Sequence, residues 1–560
     1  MLIAMIHDLH GEPGRKTRFG DPALLRAIGY DAIVIPGAQT ALAAPAGARD
    51  QPPITPGPSS ASWPGAHAPA DREAAIDALV AAARAQGMSV FFHGDALLLP
   101  RHLVMGHPEW LCEDGSGRLC PGKDAVYAAV QDQTRQLFDR WPGAAGLVMR
   151  TAEVFPEAAP EMAGGALHAG IGGACPACRD VSLLERLVRF ITLMHETVTV
   201  QRHKLYVHRA GQTPAAGPPS IHDDPAAYLE LSRRLPASSH LAFSFKLTRG
   251  DFRQPEALNP CLLADDRPKW IECPCERACE GNGAIPNYQA PAWRELLAQL
   301  PAAGGPDIPA ENLRGRWGIW GWSRGGGGGG PYVQREEWID ANVRALAALY
   351  RRPDSDPADL ATAWAAETFG IAESSPPAPA IAELLLNSPV TLRQLLYVAA
   401  LNNGRNGPQV PFVRDDLLDV EALWLAAGRI VDVGAAAEAV AEKRTALAGV
   451  DRIRRLFEIA APDLPNKTQA RDLANTLAYF SSFAGTLAQA LMGFIRFHQW
   501  NQGGRLELDL ADQCKRHLES AQAHWQQHGQ HALLPGAPSV FHENTFWERT
   551  NGCLAAMEEE

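Results

Sequence analysis

Two acidic residues, each close to basic ones, mark where this chain could do chemistry. Glu153 sits in the run Val-Met-Arg-Thr-Ala-Glu-Val-Phe, and a carboxyl among apolar neighbours can keep its proton and act as a general acid. Asp251 ends the run Phe-Lys-Leu-Thr-Arg-Gly-Asp-Phe, where Lys246 and Arg249 favour the ionised form that a base or water-holder needs. Structural duties suit the same residue types, since a Glu can cap a helix and an Asp after Gly250 can make a turn. A third acidic group, Glu272, Glu276 and Glu280, interleaves with Cys273, Cys275 and Cys279. That segment invites a zinc reading but lacks two gaps of the usual two-to-four-residue kind, so its sulfurs read as buried or incidental thiols. Cys175-Pro-Ala-Cys178 offers a second pair, the one exception at which a structural metal rather than incidental thiols is worth considering.

Acid and base on opposite sides of a bond can protonate a leaving oxygen and activate a water, which is glycoside hydrolysis. Arg150, Arg209 and Lys246 nearby would hold an anionic group such as the carboxylate of a uronic acid. His93, Asp95, His208, Glu276 and Arg324 complete the polar set, and Trp322 offers an indole face on which a sugar ring can stack. Trp317 reads as core instead.

These residues are far apart in sequence, so regular elements must gather them. Short continuous apolar runs recur at Leu2–Ile6, Ala32–Ile35, Ser89–Phe92, Gly146–Met149, Lys204–Val207, Leu241–Phe245, Trp270–Cys273 and Trp317–Trp320. Continuous runs, unlike alternating ones, belong to strands covered on both faces. Helical patterns lie between most of them, at Asp71–Gly87, Asp124–Arg140, Asp180–Thr197 and Asp224–Arg234, several opening on a capping Asp. Eight strand–helix repeats imply a (β/α)₈ barrel, with an open doubly wound sheet as the alternative. Nearly every run ends in ionisable residues, and only a barrel brings all such ends to one face.

Residues 41–70 and the six glycines at 325–330 read as loops at the barrel mouth, and neither carries a phosphate-loop or dinucleotide signature. Beyond 334 the pattern is helical throughout, at Glu336–Tyr350, Pro357–Phe369, Val390–Leu401, Leu418–Ile430, Ala435–Ile459, Thr468–Gln499 and Glu507–His528, with the last 25 residues irregular. The expected domains are a barrel at 1–333 and an α-helical domain at 334–560. The stretch Tyr479–Phe497 is apolar on more than one face, which implies burial or a subunit contact; the second would make a homodimer, and the oligomeric state stays open.

With 51 Lys and Arg against 63 Asp and Glu, a formal net charge of −12 argues against nucleic acid or an anionic membrane as partner. No apolar stretch approaches the roughly 18 residues of a membrane span, and no signal-peptide pattern opens the chain, so a cytoplasmic location is expected. No cofactor and no catalytic metal are needed for the chemistry inferred.

The ordered set of residues resembles glycoside hydrolase family 67, the α-glucuronidases, over roughly residues 85–370. The family's Arg-Ala pair after the fifth strand is matched by His208-Arg209-Ala210, and its Lys five residues before a catalytic Asp by Lys246 and Asp251. Arg150 with Glu153 is similar to its Lys and general acid, one residue closer together. Trp338-Ile-Asp-Ala-Asn342 resembles the start of its helical region. The family's N-terminal β-rich domain has no counterpart here. Its second catalytic carboxylate, three residues before a Gly, falls on Ala278.

The resemblance implies an inverting α-glycosidase acting on an acidic oligosaccharide or glycoside, with Glu153 as acid and Asp251 as base. At 278 it implies an inactivating replacement, unless Glu280 or Glu276 has taken over. Two other classes remain open: a non-catalytic binder of acidic carbohydrate, and a metal-dependent hydrolase using His7, His10, His93 and His208.

Overall fold

The computed structural model describes residues 1–6, 17–42, 69–151, 162–211, 220–250, 252–254, 256–277, 280–300, 317–323, 336–402, 413–414, 417–503, 505, 507–529 and 543–558. Its first ten strands are β1 (Leu2–Met5), β2 (Ala32–Pro36), β3 (Ser89–Asp95), β4 (Leu97–Pro100), β5 (Gly146–Arg150), β6 (Met162–Gly165), β7 (Leu205–Arg209), β8 (Leu241–Lys246), β9 (Lys269–Pro274) and β10 (Trp317–Trp322). Eight of them close a parallel barrel in the order β1-β10-β9-β8-β7-β5-β3-β2. The eight apolar runs are therefore the eight barrel strands; β1 ends one residue before its run, and the other seven extend one to three residues beyond theirs at an end. The fold is a (β/α)₈ barrel followed by a helical region.

Closure makes every second side chain of each strand point inward. Ile3, Met5, Ala32, Val34, Phe91, Val148, Val207, Ala242, Trp270, Trp320 and Trp322 fill that interior as one buried cluster. Side chains of this kind contribute roughly 1.5–3 kcal/mol each when fully buried. Trp270 has room because its neighbour on β10 is Gly318, where a Cβ would lie 2.6 Å from Trp270 Cδ1.

Among the described residues, four strands escaped the sequence pattern, two of them the short pair Val413–Arg414 and Leu417–Leu418. β4 and β6 pair antiparallel outside the barrel, in the loops that follow β3 and β5. Asp caps several helices, among them at Asp21, Asp356 and Asp419, but not at all of the positions expected. Asp224 does cap Pro225–Arg233 by accepting from Ala226 and Ala227 N–H, but Ser182 caps Leu183–Met194, and Asp124 is already the first residue of its own helix.

The chain divides into two compact units, one of Met1–Phe252, Ala257–Cys273 and Leu296–Arg324, the other of Arg253–Glu256, Pro274–Glu295 and Gly325–Glu560. The second is built on long helices, among them Glu337–Arg351, Pro357–Phe369, Pro377–Leu396, Val420–Asp432, Ala436–Ala460, Lys467–Gln502 and Leu508–His528. Pro377–Leu396 runs straight through Pro389, although the sequence pattern placed a helix start at Val390. Proline removes the N–H that would reach the carbonyl four residues back. Ser388 Oγ donates to that carbonyl, Leu385 O, at 2.7 Å.

Lys467–Gln502 is long and apolar enough to cross a membrane, but 83% of its most apolar stretch is buried inside the protein. It is a core helix. The expectation of an irregular C-terminus is corrected by a helix at Glu543–Glu558, held by Phe546 stacking on Trp525 at 4.4 Å. That contact is tertiary and leaves no mark in local periodicity.

Substituting Gly318→Ala should drive a methyl into Trp270 and cost about 1–3 kcal/mol. Calorimetry should show a lower midpoint for the barrel transition; an unchanged midpoint would mean that the interior has slack.

Candidate functional site

The inward parity that fills the barrel with apolar groups continues to the C-terminal strand ends, where the residues become polar. On β3 it runs from Phe91 to His93 and Asp95, on β5 from Val148 to Arg150, and on β7 from Val207 to Arg209. On β8 it runs from Ala242 to Ser244 and Lys246, and on β9 from Trp270 to Glu272. Above an apolar interior sits a charged layer.

Two ion pairs dominate that layer. Arg150 and Asp95 are in register on adjacent strands and meet at 2.6 Å from Nε to Oδ1. Gln39 fixes the strand end by accepting from Asp95 N–H at 2.8 Å and donating to Asp95 O at 3.1 Å. Arg209 grips Glu272 through Nε at 3.0 and 3.1 Å and through Nη2 at 2.9 Å. Ser244 Oγ adds a further bond to Glu272 at 2.8 Å.

With Arg209 8% and Glu272 1% exposed, this pair is almost wholly desolvated. Its bonds are charge-assisted and geometrically matched, the condition under which burying two charges is tolerated. The Arg209 guanidinium also lies 4.7 Å over the Trp322 ring, and Trp322 packs on Trp320 at 4.9 Å. Lys246 Nζ lies 4.9 Å over Phe252, and the His93 ring is 6.0 Å from Trp320.

The structure thus brings together Arg150, Arg209, Lys246, His93, Asp95 and Trp322 of the expected set. Glu153, Asp251, Ala278 and Arg324 lie outside the described residues. Glu272 is the residue that sequence reasoning passed over as a site member. Its signal was available: it lies two positions beyond Trp270, on the same face of an alternating strand.

His208 has the opposite parity and is corrected accordingly. Its ring turns outward from the barrel, within 3.2 Å of Tyr206 OH and edge-on to Phe243 at 5.5 Å, and it is fully buried. His93 faces the interior, so these two histidines cannot share a metal ion, and the metal-hydrolase reading loses His208; its His7 and His10 lie outside the described residues.

Glu280 and Glu276 belong to the second unit. The Glu280 carboxylate accepts from Gln254 N–H at 2.9 Å, Arg277 Nε at 3.0 Å, Asn287 Nδ2 at 3.2 Å and the Tyr397 hydroxyl. A carboxylate with its lone pairs so engaged, and 1% exposed, is a structural hub rather than a substitute base. Burial and the adjoining Glu280 push the Tyr397 hydroxyl well above its ordinary range, so it stays a donor. The motif Trp338–Asn342 serves the same segment: Asn342 donates to Cys275 O and Asn287 O, both at 2.9 Å, and accepts from Gln289 N–H at 2.8 Å. Glu276 is half-buried.

Burial pushes the His208 imidazole down to about 3. The unfolded chain then binds a proton below about pH 6.5 that the folded chain refuses, so this group removes stability as pH falls from there toward 3. In His208→Gln the stability loss on acidification should be shallower, by up to about 1.4 kcal/mol per pH unit. Denaturant titrations at several pH values check this, and parallel curves for both proteins would refute it.

The sequence matches no known family profile, and no curated protein matches it. Among solved structures it is similar to a GH138 enzyme targeting pectin rhamnogalacturonan II, with a TM-score of 0.56 at 10% identity over 100% of this chain and 67% of that one. An O-GlcNAc hydrolase mutant of Thermobaculum terrenum follows at TM-score 0.41, 10% identity and 99% and 94% coverage. A GH20 exo-β-N-acetylglucosaminidase of Vibrio harveyi gives 0.36, 10%, and 64% and 55%. At this identity the first likeness is one of fold, and the other two scores are too low to add to it. The similarity to family 67 rests on the motifs alone.

Proposed function

We propose that the chain is a glycoside hydrolase of inverting type that removes an α-linked uronic acid at the C-terminal mouth of the barrel. The observation that carries this reading is the charge of the inner layer. Among the described residues, three cations (Arg150, Arg209 and Lys246) stand there against two carboxylates (Asp95 and Glu272), beside the indoles of Trp320 and Trp322. Three cations gathered at one layer of strand ends suit an anionic sugar. The C-terminal face is also where barrel enzymes build their sites.

In this mechanism Glu153 protonates the glycosidic oxygen while Asp251 activates water on the opposite ring face, which inverts the anomeric centre. Arg209 holds the substrate carboxylate with its orientation set by Glu272, and Asp95 does the same for Arg150. Both acids are thereby positioning residues. A second reading, a non-catalytic binder of acidic carbohydrate, draws on Ala278 together with the engaged state of Glu280, which removes one of the two residues that could replace the carboxylate expected at 278.

The test is product analysis by NMR on the chain and on Ala278→Glu, each supplied with α-glucuronides. Release of the β-anomer by either protein is expected, and Glu153→Gln should lower kcat by about 10²–10⁴. Absence of turnover by both proteins, with calorimetric binding retained, selects the binder; absence of both turnover and binding overturns both readings. Arg209→Ala should raise KM by roughly 10–100-fold, as expected for losing about 1.5–3 kcal/mol of charged hydrogen bonding. Glu272→Gln should raise KM less. If it instead abolishes kcat at unchanged KM, Glu272 acts on the reacting atoms.

A further inference from the structure

We propose that Cys112, Cys120, Cys175 and Cys178 form a structural zinc site that clips together the two long loops leaving β3 and β5. The four Sγ atoms all lie within 4.8 Å of one another, and all four residues are buried. The expectation of a lone Cys175–Cys178 pair among incidental thiols is corrected here, because the partners come from sixty residues upstream and only the fold reveals them.

Each half of the cluster is a turn that presents two sulfurs. Leu111 and Leu119 bridge antiparallel, with Cys112 N–H donating to Arg118 O and Cys120 N–H to Trp110 O, both at 2.9 Å. In the other half, Cys178 and Arg179 N–H both donate to Cys175 O, at 3.3 and 3.0 Å. The two turns approach so closely that a Cβ at Gly122 would stand 1.9 Å from Ala177 O.

Three observations separate a metal site from a patch of thiols. Sulfurs about 2.3 Å from a tetrahedral zinc stand about 3.8 Å apart, and Cys120 Sγ is 3.7 Å from Cys175 Sγ, far beyond a disulfide bond of about 2.05 Å. Among the described residues the cluster is not part of a wider apolar core, since only the partly buried Ala177 packs against the four cysteines. Finally, Arg186 is fully buried beside it, donating to Leu167 O at 2.7 Å, Ala169 O at 2.6 Å and Cys178 O.

Among the described residues no carboxylate forms an ion pair with Arg186, and an uncompensated buried cation is costly. Zinc with four thiolates carries two net negative charges, which supplies the missing counter-charge. Glu113 N–H, 3.4 Å from Cys175 Sγ, is the backbone donor that steadies a metal-bound thiolate. An all-sulfur tetrahedron selects a soft metal, and a closed set of four ligands marks a structural site.

The site lies outside the reaction proposed above. β4 and β6 tie the same two loops by strand pairing, and the clip secures them beyond Asp95 and Arg150, the ends of β3 and β5.

The full chain, purified under reducing conditions from zinc-supplied culture, should hold one zinc per chain by elemental analysis. The metal should be released by a thiol-modifying reagent, and cobalt exchanged into the site should give the intense visible absorption of a tetrahedral tetrathiolate. In Cys175→Ser/Cys178→Ser the zinc content should fall by about tenfold or more. If that variant fails to fold, the wild-type stoichiometry and the cobalt spectrum still decide. Four outcomes overturn the proposal: no stoichiometric zinc even after reconstitution of reduced protein, stoichiometric iron, disulfides among these cysteines, or zinc undiminished in the variant.

Discussion

Everything at the candidate site depends on one geometric constraint, the strict inward alternation imposed by closing eight parallel strands. A closed sheet has no edge along which a strand could slip, so a side chain's position in the count decides whether it meets the interior or the surrounding helices. The rule that buries Phe91, Val148, Val207 and Trp270 also delivers His93, Arg150, Arg209 and Glu272 to one layer two residues later. It sends His208, one position away from Arg209, into the apolar space outside the barrel.

That layer holds charges in a confined, nearly dry place, where pairing is required. Arg150 and Arg209 stand in register on neighbouring strands, a like-charge arrangement that is unfavourable by itself. Each is drawn to a carboxylate on its far side, Arg150 to Asp95 and Arg209 to Glu272. The planar guanidinium makes this workable, since its fork can satisfy a carboxylate edge while its face lies over Trp322. The result is a pre-oriented pair of cations in rigid elements, the kind of support that a binding site for an anion needs.

Much of the architecture was legible in the residues. The eight apolar runs were visible because strands covered on both faces must be apolar throughout. Boundaries were less legible. The strands run on into Asp95, Arg150, Arg209 and Lys246 because hydrogen bonding to the neighbouring strand continues after the apolar residues stop. Pro389 hid half a helix, since the compensating bond from Ser388 is a local event that propensity does not register. The strand pair β4–β6 and the helix ending at Glu558 are stabilised by partners far away in the chain, and short-range pattern has no access to those.

The sequence by itself determined the barrel, the helical region after it and the list of groups capable of chemistry, because burial and periodicity are written into consecutive residues. Only the tertiary structure decided which groups meet. It bound Arg209 to Glu272 across 63 positions of chain, surrounded the Glu280 carboxylate with donors, and gathered four cysteines from two distant loops. Such encounters are fixed by register, parity and loop approach in three dimensions, quantities to which no single stretch of sequence is sensitive.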